Sequence, residues 1–207
     1  MTSRVVIVDY KMGNVGSILN MLKYIGISAL VSSDPAEIDG ADQLVLPGVG
    51  AFDAGMDAIR AMGLIKVLEK KAMHDRIPIL GICLGMQLIT RRSEEGTQQG
   101  LAWVQADTVR FRSPLNEDVL RIPHVGWNSF RPLRPDRLFS GMESGGRAYF
   151  VHSFHVRCDS EADVIATTHY GDDFPSIIRN DNVVGMQFHA EKSHKYGMQL
   201  FRNFFGT

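Results

Sequence analysis

The feature that most constrains the fold of this 207-residue chain is the segment Ile79-Leu80-Gly81-Ile82-Cys83-Leu84-Gly85-Met86-Gln87. A short apolar run, typical of a buried strand, leads directly into a helix at Cys83, with a glycine two residues away on each side. This is the form of the nucleophile elbow G-x-S-x-G, with cysteine in place of serine. The turn would project Cys83 from the carboxyl end of the strand, where open α/β sheets keep their sites.

Alternation of strand and helix patterns surrounds this turn. Apolar runs at Val5–Val8, Leu44–Leu46 and Ile77–Ile82 alternate with helical patterns after Asn14, from about Phe52 to His74 with a break near Gly63, and from Leu84. Repeated βα units predict an α/β fold with an open, mostly parallel sheet and helices on both faces. Beyond about Gly100, short strands and a closing helix follow, and they predict a smaller antiparallel extension. These are strands at Trp103–Phe111, Val119–Ile122, Ala148–Val156, Val164–Thr168, Ser176–Arg179 and Val183–His189, and a helix through Tyr196, Leu200, Phe201 and Phe204.

Composition narrows the class of protein. Hydrophobic residues make up 44% of the chain, and 22 Lys and Arg against 23 Asp and Glu leave a net charge of −1. This balance argues against general attraction to nucleic acid or to anionic membranes, and no apolar run approaches the ~18 residues of a membrane span. Two cysteines make neither a disulfide framework nor a four-thiolate zinc site. We therefore expect a single cytoplasmic domain over residues 1–207, with no linker, metal or cofactor.

Cys83 has two possible interpretations, a nucleophile or a core cysteine. Free cysteine is among the most buried residue types, and for Cys158, which lacks a glycine turn, the core interpretation is preferred. At Cys83 the following helix N-terminus would favour the thiolate, and the first helix amide, that of Leu84, could bind an oxyanion. We therefore interpret Cys83 as a nucleophile.

A thiolate nucleophile needs a base with an orienting partner, and His189 with Glu191 fits this need. The run Val183–Phe188 is a buried-strand pattern that would deliver His189 to the end of the strand, and Glu191 could accept from its ring. His-x-Glu also occurs in zinc deaminases, but the downstream Pro-Cys-x-x-Cys of those enzymes is absent from this sequence. The spacing of His152 and His155 disfavours a shared metal, so they are interpreted either as structural or as supporting the residues that contact the substrate.

The segment Pro47-Gly48-Val49-Gly50-Ala51-Phe52 follows a strand and precedes a helix, so it lies at the same edge as Cys83. It matches neither of the phosphate-binding glycine motifs G-x-G-x-x-G and G-x-x-x-x-G-K-[ST], so nucleotide binding is unsupported. An ordinary tight turn would explain it. Alternatively, it supplies a second oxyanion amide through a peptide that can flip.

Five segments together carry a family resemblance. They are Gly81–Gln87, Phe188–Ser193, Leu46–Phe52, Pro123–Asn128 and Tyr149–Phe154. The first two resemble the signatures of class I, or triad, glutamine amidotransferases, whose fold is flavodoxin-like. All five in this order resemble the glutaminase subunits of imidazole glycerol phosphate synthases, over essentially the whole chain. One departure is Ala190, where family members often carry proline.

The resemblance implies roles for individual residues. Cys83, His189 and Glu191 would be the catalytic triad that hydrolyses L-glutamine. Amides of Val49, Gly50 and Leu84 would form the oxyanion hole. Gln87, with backbone groups of Gly50, Ser153 and Phe154, would hold glutamine, whereas Trp127, Asn128, Tyr149 and Lys192 would face a partner.

That partner would be a separate (β/α)₈-barrel cyclase subunit, in a heterodimer of histidine biosynthesis that uses the ammonia. Since such a barrel needs ~250 residues, the 207 residues of this chain leave no room for it. Glutamine hydrolysis is expected to be slow until the partner binds. Three alternatives remain open at this point: an amidotransferase subunit serving another acceptor, such as a surface-sugar precursor, a non-catalytic interaction subunit, and a free-standing thiol peptidase or esterase.

Overall fold

A nine-stranded sheet lies at the centre of the fold, in a computed structural model that describes residues 3–112 and 120–206. Its strands, in spatial order, are β2 (Ala29–Ser32), β1 (Val5–Val8), β3 (Gln43–Gly48), β4 (Ile79–Cys83), β11 (Val183–Met186), β10 (Asp172–Asn180), β9 (Val164–Tyr170), β6 (His124–Pro132) and β7 (Gly146–His152). A separate antiparallel pair consists of β5 (Ala106–Arg110) and β8 (Phe154–Cys158).

The sheet divides into a parallel and an antiparallel part. The first five strands in that order, from β2 to β11, all pair in parallel, and the remaining four pair antiparallel. In the register of β3 and β4, Gly48 lies opposite Cys83, and in that of β4 and β11, Ile82 lies opposite Met186. The carboxyl ends of β3, β4 and β11 therefore meet at one edge.

Helices cover both faces of the parallel part. The helices are α1 (Val15–Tyr24), α2 (Pro35–Asp39), α3 (Phe52–Ala61), α4 (Ile65–Glu69, continued by a π-helical turn over Lys70–His74), α5 (Leu84–Leu88) and α6 (His194–Phe205). Side chains of α1 and α6 pack on one face with Ile7 and Val45, while α3 and α4 pack on the other with Val6 and Leu46. Strands buried on both faces read as continuous apolar runs, as these do. The predicted α/β fold with an antiparallel extension is confirmed.

Several element boundaries differ from the sequence prediction. The expected strand Ala148–Val156 is two strands that break at Ser153, and the expected break near Gly63 is present between α3 and α4. Strand β6 extends beyond the family segment at residues 123–128. Strand β2 and helix α2 were not predicted from the sequence. Of the expected strand Val119–Ile122, Val119 lies outside the described residues and the other three residues are not in a strand.

Searched over the described ranges, the chain contains no helix that is both long and apolar enough to cross a bilayer.

Candidate active site

Cys83 lies at the sharp turn between β4 and α5, in a backbone conformation that few side-chain-bearing residues adopt. Its φ is 53° and its ψ is −110°, and such conformations cost about 1–3 kcal/mol and cluster at functional sites. A Cβ on Gly81 would lie 2.8 Å from the carbonyl oxygen of Gly85, and a Cβ on Gly85 would overlap the carbonyl oxygen of Leu46. Both glycines are required because the helix packs directly against strands β3 and β4.

His189 reaches the same edge because β11 is the neighbour of β4. Its main-chain N–H donates to the carbonyl of Tyr149 over 2.9 Å, and its Nδ1 lies 2.9 Å from Oε1 of Glu191. Since a carboxylate only accepts, Nδ1 carries the hydrogen and Nε2 is left for the thiol. A short 3₁₀ turn over Ala190–Lys192 holds Glu191 in place without the proline common at position 190.

The electrostatics of this group favour a protonated His189. Burial alone would lower the pKa of His189, but the neighbouring Cys83 and the hydrogen-bonded carboxylate of Glu191 outweigh burial and raise that pKa to about 10. His189 and Glu191 are both buried. A protonated imidazole beside the sulfur stabilises the thiolate, the nucleophilic form of cysteine. The arrangement can therefore attack an electrophilic carbon and supply a proton to a leaving group.

A cavity of about 290 Å³ opens in front of the sulfur. Eight of its lining residues are among those predicted from the sequence, namely Val49, Gly50, Cys83, Leu84, Gln87, Ser153, Phe154 and His189. Four more, Glu95, Pro123, Val151 and His152, were not predicted to lie there. The Sγ atom of Cys83 lies 3.9 Å from the carbonyl oxygen of Val151.

The three residues predicted to supply oxyanion amides all line this cavity, but one of their main-chain N–H groups is already hydrogen-bonded elsewhere. Leu84 begins α5 directly after the thiol, and Gly50 has a φ of 110° that suits glycine. The N–H of Val49, however, donates to the carbonyl of Met12 over 2.5 Å. In this conformation the Val49 amide is engaged by the loop between β1 and α1.

One wall of the cavity is held by hydrogen bonds to the carbonyl of Phe154. Gln87 donates to it through Nε2 over 3.1 Å, and His152 donates through Nδ1 over 2.7 Å. His152 Nε2 then accepts from Nδ1 of His124, 3.1 Å away. Burial lowers the pKa of His124 to about 4 and that of His152 to about 3, so both rings are neutral. His152 is therefore a buried part of the cavity wall.

Glu95 is the carboxylate in this cavity that sequence reasoning missed. It lies in the loop after α5, and its Oε2 accepts the N–H of Phe52 over 2.8 Å, at the start of α3. The two residues are 43 positions apart, so no local periodicity brings them together. The one available signal is the turn pattern Ser93-Glu94-Glu95-Gly96, which begins ten residues after Cys83.

The residues predicted to face a partner are divided between two faces. Trp127 and Tyr149 are opposite each other in the β6–β7 register, and their rings are in edge contact, with centroids 6.1 Å apart. Asn128 points to the other face, as alternation along a strand requires, and donates to the carbonyl of His169. Lys192 is exposed beside Glu191. Of the three residues on the β6–β7 ribbon, Trp127 and Tyr149 therefore share a face and Asn128 does not.

Comparison with known proteins agrees with this geometry. The family model of class-I glutamine amidotransferases matches residues 6–207. Imidazole glycerol phosphate synthase subunit HisH 2 of Pseudomonas aeruginosa is 46% identical over 97% of this chain and 98% of its own length. The subunit of the same name from Methanococcus maripaludis has the same identity and coverage.

A solved structure described as a glutamine amidotransferase superposes with a TM-score of 0.75, over 98% of this chain and 99% of that one. At 20% identity, this likeness supports the fold alone. The sequence relatives and the family model carry the assignment: the chain belongs to the class-I glutamine amidotransferase family and, within it, to the imidazole glycerol phosphate synthase HisH subunits.

Proposed function

We propose that this chain is the glutaminase subunit of an imidazole glycerol phosphate synthase in histidine biosynthesis. It hydrolyses L-glutamine to glutamate and ammonia, and it supplies the ammonia to a cyclase subunit that makes imidazole glycerol phosphate and aminoimidazole carboxamide ribotide. The observation that carries the proposal is the buried His189, whose Nδ1 lies 2.9 Å from Oε1 of Glu191 and which lines the same cavity as Cys83.

In the first half of the reaction, the thiolate of Cys83 attacks the amide carbon of the glutamine side chain. The carbonyl oxygen becomes an oxyanion and is stabilised by the N–H of Leu84 at the helix N-terminus. When the carbon–nitrogen bond breaks, His189 transfers its Nε2 proton to the departing nitrogen, and ammonia leaves. The products of this half are a γ-glutamyl thioester on Cys83 and neutral His189.

In the second half, His189 takes a proton from water, and the resulting hydroxide attacks the thioester carbon. The carbon–sulfur bond breaks, and the thiolate and imidazolium are restored. The product leaves with a γ-carboxylic acid, which loses its proton to the solvent to give glutamate. Glu191 keeps the ring oriented throughout and stabilises its charged form. Its carboxylate is buried, which keeps this interaction strong.

The cavity offers matching groups for the amino-acid end of glutamine. Glu95 supplies a carboxylate for the α-ammonium group, and Gln87 with the backbone of Gly50, Ser153 and Phe154 lines the remaining space. Hydrogen bonds to charged groups are the stronger ones in proteins. Glu95 is therefore proposed to account for recognition of the α-ammonium group.

Replacing Glu95 with glutamine is expected to raise KM for glutamine about 10- to 100-fold, because a charge-assisted contact is lost while the side-chain length is kept. Steady-state assay of glutamate release measures this effect. Glu94→Gln is the matched control, because Glu94 binds Arg110 and Arg112 outside the cavity. An equal rise in KM for both variants would contradict the role of Glu95.

The partner is proposed to dock on the exposed face of the β6–β7 ribbon. Val125, Trp127 and Val151 present apolar side chains there that are 56%, 41% and 39% exposed, and Val151 also lines the cavity. An exposed apolar patch beside a site is a typical interaction surface. A (β/α)₈ cyclase on this face would form a heterodimer and receive ammonia close to its source.

The isolated chain is expected to hydrolyse glutamine slowly, because the Val49 amide donates to Met12 rather than into the cavity. Reconstitution with the cognate cyclase and its nucleotide ligand should raise the rate about 10²- to 10³-fold, the typical worth of one oxyanion donor. Glutamate and imidazole glycerol phosphate are the quantities to measure. Full glutaminase activity of the chain alone, unchanged by the cyclase, would refute partner-dependent activation.

The numeral 2 in the names of two relatives favours a second candidate function, an amidotransferase subunit that serves another acceptor. Both relatives at 46% identity are named HisH 2, which marks more than one such subunit in an organism. A subunit of this kind could deliver ammonia by the same chemistry to a cyclase that uses another acceptor. Copurification with each candidate cyclase, followed by identification of the product, distinguishes the two.

A further inference from the structure

A loop after α5 is fastened over the start of α3, and we call residues 93–99 the strap. It is closed at its base by an antiparallel bridge between Arg92 and Gln99. A turn inside it is held by the Oγ of Ser93, which accepts the N–H of Glu95 over 3.1 Å. The strap carries Glu95 into the cavity that contains Cys83.

Asp53, on the first turn of α3, is the main anchor of the strap. Its Oδ1 accepts the main-chain N–H groups of Thr97 and Gln98 over 3.1 and 3.0 Å, and its Oδ2 accepts that of Thr97 over 2.9 Å. These backbone hydrogen bonds lower the pKa of Asp53, which is therefore charged at neutral pH. A Cβ on Gly96 would overlap this carboxylate, so a side chain at this position would push Asp53 away from the amides that it binds.

The helix and the strap cap each other reciprocally. Residue Ala51 at the N-cap of α3 offers no side-chain hydrogen bond, and the carboxylate of Glu95 binds the N–H of Phe52 instead. One residue further along the helix, Asp53 binds the amides of Thr97 and Gln98. Each segment thus satisfies main-chain donors of the other, as the two side chains of a capping box do within one helix.

We propose that Asp53 is a positioning residue for substrate recognition: it holds the strap so that Glu95 meets the α-ammonium group of glutamine. Asp53 does not line the cavity itself, so it acts through the strap. The inference rests on the proposed function, because it assumes that glutamine is the substrate. It extends that function by assigning the selectivity for an α-amino acid to a contact outside the cavity.

The test compares two substrates in the complex with the cyclase. In Asp53→Ala, KM for glutamine should rise about tenfold with little change in kcat, since the Glu95 contact acts in binding. For glutaramate, which has the same amide and carboxylate but no α-ammonium group, kcat/KM should stay within twofold of the unmodified protein. Asp53→Asn should recover most of the affinity, because its Oδ1 can still accept both amides.

Two results would overturn the proposal. One is an equal loss of kcat/KM on glutamine and glutaramate, which would indicate a general structural role. The other is an unchanged KM for glutamine in Asp53→Ala. Asp57→Asn, one helical turn further along α3, is the control for loss of a helix charge: its Oδ1 can still accept the Nε2 of Gln98 in the strap, so it should behave like the unmodified protein. Failure of the unmodified complex to hydrolyse glutamine would refute the proposed function instead.

Discussion

Replacing Cys83 with alanine is expected to reduce glutamine hydrolysis by at least ~10⁴-fold, because the covalent intermediate can no longer form. The complex with the cyclase should still make imidazole glycerol phosphate from added ammonia. The substitution is small and removes only the sulfur from a turn whose shape depends on Gly81 and Gly85. Glutamate release and ammonia-dependent product formation, measured on the same preparation, separate the two activities.

Cys158→Ala is the matched control for this prediction. Burial raises the pKa of the Cys158 thiol to about 12, and the residue does not line the cavity. The variant should keep both activities, since a protonated thiol away from the substrate takes no part in the chemistry. Glutaminase activity that survives in Cys83→Ala and disappears in Cys158→Ala would reverse the assignment of the nucleophile.

Replacing Gly85 with alanine is expected to lower the free energy of unfolding by about 3 kcal/mol or more, and to abolish glutaminase activity. The added Cβ would overlap the carbonyl oxygen of Leu46, which is backbone and cannot rotate away. The turn could then re-form only if α5 moved off β3, and Cys83 would move with it. Chemical denaturation with the glutaminase assay measures both effects.

Gly16→Ala provides the comparison. A Cβ at Gly16 meets nothing within 4 Å, and the residue lies in α1, where alanine is favoured over glycine by roughly 1 kcal/mol. The free energy of unfolding should therefore stay the same or rise. Equal stability of Gly85→Ala and Gly16→Ala would show that the turn tolerates a side chain at position 85, contrary to the close packing against β3.

The features that the sequence predicted depend on interactions between residues close together in the chain. The features that it missed depend on interactions between residues far apart in the chain. Short sequence patterns predict the elbow at Cys83 and the strand that carries His189, because glycine spacing and apolar runs depend on local backbone geometry. Parallel order brings these strand ends to one edge, which makes their proximity predictable too. Strand β6 was missed because its exposed face carries apolar residues such as Val125 and Trp127, so alternation does not mark it.

The residues of the candidate site also fall into two groups, those whose place follows from the local sequence and those placed by contacts between distant segments. Leu84 and Gln87 follow Cys83 directly, and their place in the cavity follows from a helix starting at the turn. Glu95 enters through a loop held by Asp53, and neither residue stands in a motif that would reveal the contact. Asn128 adjoins Trp127 in sequence but points to the opposite face, because the β6–β7 register decides which side of the ribbon is exposed.

By itself, the sequence determined the α/β class, the cysteine turn and the pairing of a histidine with a nearby acid, since each depends on residues close together in the chain. Only the tertiary structure decided that the Val49 amide is engaged by Met12 and that Glu95 is held in the cavity by the strap. Those outcomes depend on hydrogen bonds between segments about 40 residues apart, whose partners are chosen by packing of the whole domain.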